Sequence, residues 1–200
     1  MIVVELLSLC VKWRSISAPL SRCDMEVILV RHTSVDVPPG TCYGQTDVPL
    51  RPTFEQEAIL TSSALHPHAP FDQVYTSPLS RCTRLATFCG YANAQQDKRL
   101  LEMNFGEWEM KRYDEIKDPQ LQAWYADWKQ VSATGGESFI QQYERVAQFL
   151  SELKEKPYSK VAIFAHGGVL TCAKMYAEGI STEEAFASPT PYGGIISLKI

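Results

Sequence analysis

Apolar positions in this chain fall into two patterns. Residues 27–30 (VILV) and 161–165 (VAIFA) are unbroken apolar runs of strand length, which suits strands covered on both faces. FDQVYTS (71–77) and GGIISLKI (193–200) read as two more strands. Helical spacing is clearest in GGESFIQQYERVAQFLSELKEK, where Phe139, Tyr143, Val146, Leu150 and Leu153 share one face. A helix is predicted from Thr53 to Leu65, ending before HPHAP. Ser77 reads as an N-cap with Pro78 at the first helical position, opening PLSRCTRLATFCGY, which Gly90 ends. GGVLTCAKMYAEG is a Gly-rich turn entering a helix. AQQDKRLLEMNFGEWE predicts a short strand and a loop, and KRYDEIKDPQLQAWYADWKQ two short helical pieces broken at Pro119. Residues 33–52 form a loop dense in Pro, Gly, Thr and Asp.

Strands alternating with helices imply an α/β fold, a three-layer sandwich around a mainly parallel central sheet. The chain has 200 residues, enough for one domain, which is placed at residues 25–200. The preceding stretch, MIVVELLSLCVKWRSISAPLSRCD, carries Glu5 and Lys12 in its apolar part and lacks a basic start. It is too short to span a bilayer, so residues 1–24 are expected to be a leader or a misassigned start outside the core.

Composition refines this picture modestly. A hydrophobic share of 45% and a charged share of 21% argue for a globular protein and against disorder. The net charge of −4 argues against a nucleic-acid or anionic-membrane partner. An anionic ligand must therefore meet a local cluster of positive charge. Six cysteines without a C-x-x-C spacing read as reduced thiols of a cytoplasmic protein, and neither a disulfide frame nor a zinc site is expected.

The first apolar run ends in adjacent Arg31 and His32, with no acidic residue within three positions. In open α/β sheets, ligands bind beyond the carboxyl ends of the strands, near helix N-termini. That rule gathers His32 and His166, each leaving the end of a predicted strand, and Arg81, in the first turn of a helix after a third. Planar guanidinium forks at Arg31 and Arg81 suit phosphate oxygens. His166 offers an imidazole donor, and Gly167 a backbone N–H at a helix start. His32 suits in-line attack, for which it must be neutral, and nearby arginines favour that form. A leaving alkoxide needs a proton, for which Glu102 is the preferred donor over Glu107 and Glu109. His66 and His68, between prolines, are not expected to bind metal. Trp108, Trp124, Tyr125 and Trp128 suit either the core or a pocket for a base or ribose. Arg145 is read as structural, and Gly135–Ser138 as a border of the site or a plain helix start.

LVRH, SPLSRC, LLEMNFGEWE and AHGG, in that order, resemble the histidine phosphatase superfamily (phosphoglycerate mutase-like), over about Met25 to Ile200. The resemblance implies a phosphoglycerate mutase-like fold and a phosphomonoesterase acting through phospho-His32. It also implies a phosphoryl group held by Arg31, Arg81 and His166, Glu102 as proton donor and acceptor, no metal and no cofactor. CYGQTDVPL (42–50) and EMNFGEWE look most like α-ribazole phosphatases of cobalamin biosynthesis, which act on α-ribazole 5′-phosphate or adenosylcobalamin 5′-phosphate. Gly44 matches a position of backbone contact with phosphate, and Gln45 lies beside it. Three residues depart from the family pattern: Thr33 stands where Gly is usual, Phe54 replaces a common loop Gly, and Leu85 a common Thr. The expected partner is a small-molecule phosphate monoester, and a homodimer stays open. Competing expectations are a phosphoglycerate mutase-type phosphotransferase, a broad-specificity histidine acid phosphatase and a non-catalytic phospho-ligand binding module.

Overall fold

A computed structural model describes residues 24–200. The expectation for residues 1–24 lies outside the described residues, apart from Asp24. The central sheet holds β1 (Glu26–Arg31), β2 (Gln73–Thr76), β3 (Gln95–Gln96), β4 (Lys160–Ala165) and β5 (Ile195–Lys199), in the order β3-β2-β4-β1-β5. All neighbours pair in parallel except β5, which runs antiparallel to β1. The expected three-layer α/β sandwich is therefore present, with one antiparallel edge strand.

The unbroken apolar runs divide between the two faces of the sheet. Val27 and Leu29 of β1, with Val161 and Ile163 of β4, face one core together with α4 (Phe139–Lys154) and α5 (Gly167–Glu178). Ile28 and Val30, with Ala162 and Phe164, face the other with α1 (Phe54–Leu65) and α2 (Ser80–Phe88). Alternate side chains of a strand point to opposite faces, so burying both requires apolar residues at every position. A third, smaller cluster of Cys42, Trp108, Ile116, Leu121 and Ala133 packs under the loops beyond one end of the sheet.

The predicted elements hold in place, with two differences. α2 begins at Ser80 and is preceded by an extended Leu79, so Ser77 does not cap it and Pro78 is not its first residue. Ser77 is fully buried, and its hydroxyl meets His166 Nε2 at 2.7 Å, a partner the local sequence does not reveal. The second difference is α6 (Thr182–Ala187), between α5 and β5, which had not been predicted. Its capping box, Ser181 with Glu184, encodes its start. α3 (Gln120–Ala126) follows Pro119, as the break there predicted.

Candidate active site

Three adjacent parallel strands end at one edge of the sheet. Arg31 of β1 pairs in register with Ala165 of β4, and Thr76 of β2 with Phe164. The next residues, His32, His166 and Ser77, are thereby brought side by side, and the His32 and His166 rings lie 5.1 Å apart, centre to centre. A small tetrahedral anion can touch both rings at that separation. His166 is also the N-cap of α5, whose N-terminus contributes its partial positive charge to the same place.

His32 is buried, 3% exposed, and its Nδ1 lies 2.7 Å from the Thr33 carbonyl. A carbonyl only accepts, so Nδ1 carries the proton and Nε2 keeps a free lone pair. Burial, then the charge of Arg81, with a smaller push from Arg31, drives its pKa down to about 3 against the upward pull of the Thr33 carbonyl. His32 is thus a neutral imidazole whose attacking nitrogen is unencumbered.

His166 is fully buried and held on both nitrogens. Arg81 Nε donates to Nδ1 at 3.2 Å, which places the proton on Nε2, facing Ser77 Oγ. Burial and the Arg81 charge keep this ring neutral too, well below its ordinary pKa. In this structure the imidazole donor expected to serve phosphate faces Ser77, and the ring's acceptor orients Arg81.

Arg81 is completely buried. Its other donors reach the carbonyls of Thr46, at 2.9 Å, and Gly44. Three of a guanidinium's five N–H groups are thus engaged by protein, and its charge lies close enough to lower the pKa of His32. Arg31 lies 4.1 Å over the Tyr192 ring and donates to the Thr190 carbonyl at 2.6 Å, while its buried Nε has no partner. Gly167 packs against this guanidinium, where a Cβ would lie 3.1 Å from Cζ.

The three candidate carboxylates separate clearly. Glu102 lines a cleft of about 460 Å³ whose wall also includes Arg31 and His32. Its oxygens accept from Met103 N–H (3.0 Å), Gly168 N–H (3.2 Å) and Gln142 Nε2 (2.8 Å). The absence of a side chain at Gly168 lets Glu102 approach: a Cβ there would fall 2.4 Å from Glu102 Oε1 and 2.7 Å from Gln142 Nε2, so these side chains would have to shift. Glu107 packs against Gly135. Glu109 accepts from the backbone of the 44–46 loop. Gly44, expected to make a backbone contact with phosphate, donates its N–H to Glu109 Oε2 at 3.0 Å in this structure. Gln45 likewise gives its backbone N–H to Glu109 and a side-chain N–H to the Glu102 carbonyl, and neither Gly44 nor Gln45 is on the cleft wall in this structure.

Several residues here were not legible in the sequence. Gln142 sits on the buried face of α4, 1% exposed, where periodicity predicts an apolar residue; a polar interruption of that stripe was the available signal. Arg145, read as structural, donates to the carbonyls of Arg99, Leu101 and Glu102 and pairs with Glu137, which in turn accepts from Asn104 N–H. It therefore fixes the backbone that carries Glu102. The aromatic residues divide: Trp124 and Trp128 line the cleft with Phe105, Phe139 and Phe186, whereas Trp108 is core and Tyr125 is 51% exposed. The Tyr43 and Tyr192 hydroxyls meet at 2.8 Å, joining the 33–52 loop to the segment before β5. Thr33, at the position where Gly is usual, is wholly buried and its hydroxyl has no partner.

Among the described residues no group of three or more His, Cys, Asp or Glu is arranged to hold a metal ion. No described helix is long and apolar enough to cross a membrane. The model of the histidine phosphatase superfamily (branch 1) matches residues 27–200. The adenosylcobalamin/α-ribazole phosphatase of Salmonella typhimurium is 30% identical over 158 residues, 74% of this chain and 76% of that protein. Phosphoserine phosphatase 1 of Hydrogenobacter thermophilus is 27% identical over 146 residues, 70% of this chain and 69% of that one. The crystal structure of the α-ribazole phosphatase from Shigella flexneri superposes with a TM-score of 0.79 at 26% identity, covering 86% of this chain and 89% of that chain.

Proposed function

This chain belongs to the histidine phosphatase superfamily, branch 1, and we propose that it hydrolyses phosphate monoesters through a phosphohistidine on His32. The observation that carries the proposal is the His32 ring, neutral and buried, with its Nδ1 proton fixed on Thr33 and its Nε2 lone pair free. Nε2 forms a bond to phosphorus as the ester oxygen departs. Arg31 and Arg81 balance the charge on the phosphoryl oxygens, and His166 holds Arg81 in place. Glu102, on the cleft wall, gives a proton to the departing alkoxide and then removes one from the water that cleaves the P–N bond. The charge compensation in this scheme comes from guanidiniums, so no metal is required.

The substrate reading is α-ribazole 5′-phosphate or adenosylcobalamin 5′-phosphate, supported by the Salmonella and Shigella relatives. The cleft supports it as well. Phe105, Trp124, Trp128, Phe139 and Phe186 offer faces for a neutral planar base, and Arg31 and His32 are its only basic wall residues among the described ones. A phosphoserine or a phosphoglycerate carries a carboxylate, which calls for a further cation there. Buried, unpaired thiols at Cys42, Cys82 and Cys172 support a cytoplasmic setting.

The test is turnover of p-nitrophenyl phosphate in the presence of a chelator. The parent enzyme is expected to keep its rate and the His32→Ala variant to lose at least about a thousandfold. Activity abolished by the chelator, or a His32→Ala variant as fast as the parent, removes the proposal. A panel of α-ribazole 5′-phosphate, phosphoserine and 3-phosphoglycerate, ranked by kcat/KM, decides the substrate.

A further inference from the structure

We propose that Glu109 is a positioning residue for Arg81, acting through the backbone of residues 44–46 that lies between them. On one side of this loop, Glu109 Oε2 accepts from Gly44 N–H (3.0 Å) and Thr46 N–H (3.1 Å), and Oε1 from Gln45 N–H (2.9 Å). A fourth donor, Phe105 N–H at 3.2 Å, ties Oε1 to the segment that carries Glu109 itself. On the other side, the carbonyls of Gly44 and Thr46 accept from Arg81 Nη2 and Nη1.

The peptide joining Gly44 to Gln45 carries both contacts. Its carbonyl oxygen accepts a hydrogen bond from the guanidinium while its N–H donates one to the carboxylate. In a trans peptide the C=O and N–H bonds point in opposite directions, so their dipoles add, and a fixed cation at the oxygen end and a fixed anion at the hydrogen end polarise the same unit cooperatively. Consecutive N–H groups converging on one anion form a backbone nest, and here a side chain of the same protein fills it. Gly44 makes the arrangement possible: a Cβ there would fall 1.7 Å from the Met103 carbonyl oxygen and 3.0 Å from Glu109 Oε1.

Burial alone would raise the Glu109 carboxyl, but the N–H donors of Gly44, Gln45 and Phe105, with Thr46, hold it below its ordinary value, so it stays charged near neutral pH. Glu109 is not on the cleft wall and reaches substrate only through what it holds. In Glu109→Gln one carboxylate oxygen becomes an NH2 that only donates, so part of the N–H groups at residues 44–46 lose their acceptor. The loop then shifts, and the two carbonyls that aim Arg81 move with it.

The inference rests on Arg81 serving the phosphoryl group, and a double-substitution cycle separates the two ideas. Glu109→Gln, Arg81→Lys and the pair are compared by kcat/KM for p-nitrophenyl phosphate and by the inhibition constant of inorganic phosphate. Glu109→Gln alone is expected to lower kcat/KM about tenfold and to weaken phosphate inhibition in parallel; added to Arg81→Lys, it changes either by less than about twofold. Full additivity overturns the inference and leaves the proposed site standing, because a merely structural carboxylate weakens both backgrounds alike. Arg81→Lys with parental kcat/KM overturns the role of Arg81 and the inference with it. Should Glu109→Gln fail to fold, Glu109→Asp serves in the same cycle with the same outcomes, since its shorter carboxylate keeps the charge but cannot span the four donors.

Discussion

At the scale of single residues, the site works by fixing which atom carries each proton. Thr33 fixes the His32 tautomer through its carbonyl, and Arg81 fixes that of His166 through an N–H that can only donate. Because burial and neighbouring arginines keep His32 neutral down to about pH 3, kcat/KM should show no acid limb near pH 6.5, the value for a free imidazole. A pH profile from 5 to 8 that bends at 6.5 through loss of neutral histidine would contradict this. Gln142 offers a second test. Its amide holds one oxygen of Glu102 in place, and Gln142→Leu should lower kcat/KM for an alkyl phosphate by about tenfold. The kcat/KM for p-nitrophenyl phosphate should change less than twofold, because it stops at phosphoryl transfer and nitrophenolate departs without a proton. Equal losses on both substrates would mean that Gln142 does not act through Glu102.

At the scale of elements, each strand end delivers one group and each following helix closes over it. The parallel register of β1, β4 and β2 makes His32, His166 and Ser77 neighbours, although they are distant in sequence. α4 contributes from the side: its N-cap Ser138 and N3 Gln141 form a capping box that starts the helix at Phe139, about one turn before Gln142 and about two before Arg145. Ser138→Ala removes an acceptor from a 1% exposed N-cap. It should lower stability by about 1 kcal/mol in urea denaturation, with kcat within twofold of the parent. A midpoint equal to the parent's would show that the cap contributes nothing.

At the scale of the whole molecule, the site is bought with stability at low pH. His32 and His166 are neutral when folded but titrate near 6.5 when unfolded. As the pH falls below 6.5, the unfolded chain takes up protons that the folded one refuses. Stability present above the unfolded value is therefore lost, by up to about 1.4 kcal/mol per pH unit for each ring, until the folded value near 3 is reached for His32. Urea denaturation should show a lower midpoint at pH 5 than at pH 7, and His32→Asn should make that difference smaller. Identical midpoints at the two pH values would refute the linkage.

Much of this protein is written locally in its chain. Unbroken apolar runs identify β1 and β4, because a strand covered on both faces needs an apolar residue at every position. The stripe of α4 identifies a helix facing the core, Arg31, His32 and His166 stand out as polar residues at strand ends, and Arg81 lies in the first turn of the helix after a third strand. The tertiary structure alone decided what the carboxylates do. Glu102, Glu107 and Glu109 lie within eight residues of each other in a segment without periodicity, so only the path of the backbone turns one toward the cleft and another into the 44–46 loop. The same holds for Ser77, which reads locally as a helix cap and instead meets a histidine 89 residues away. Periodicity records which side of an element is apolar; it carries no information about which distant donor a polar side chain will meet, since that depends on how the elements are packed together.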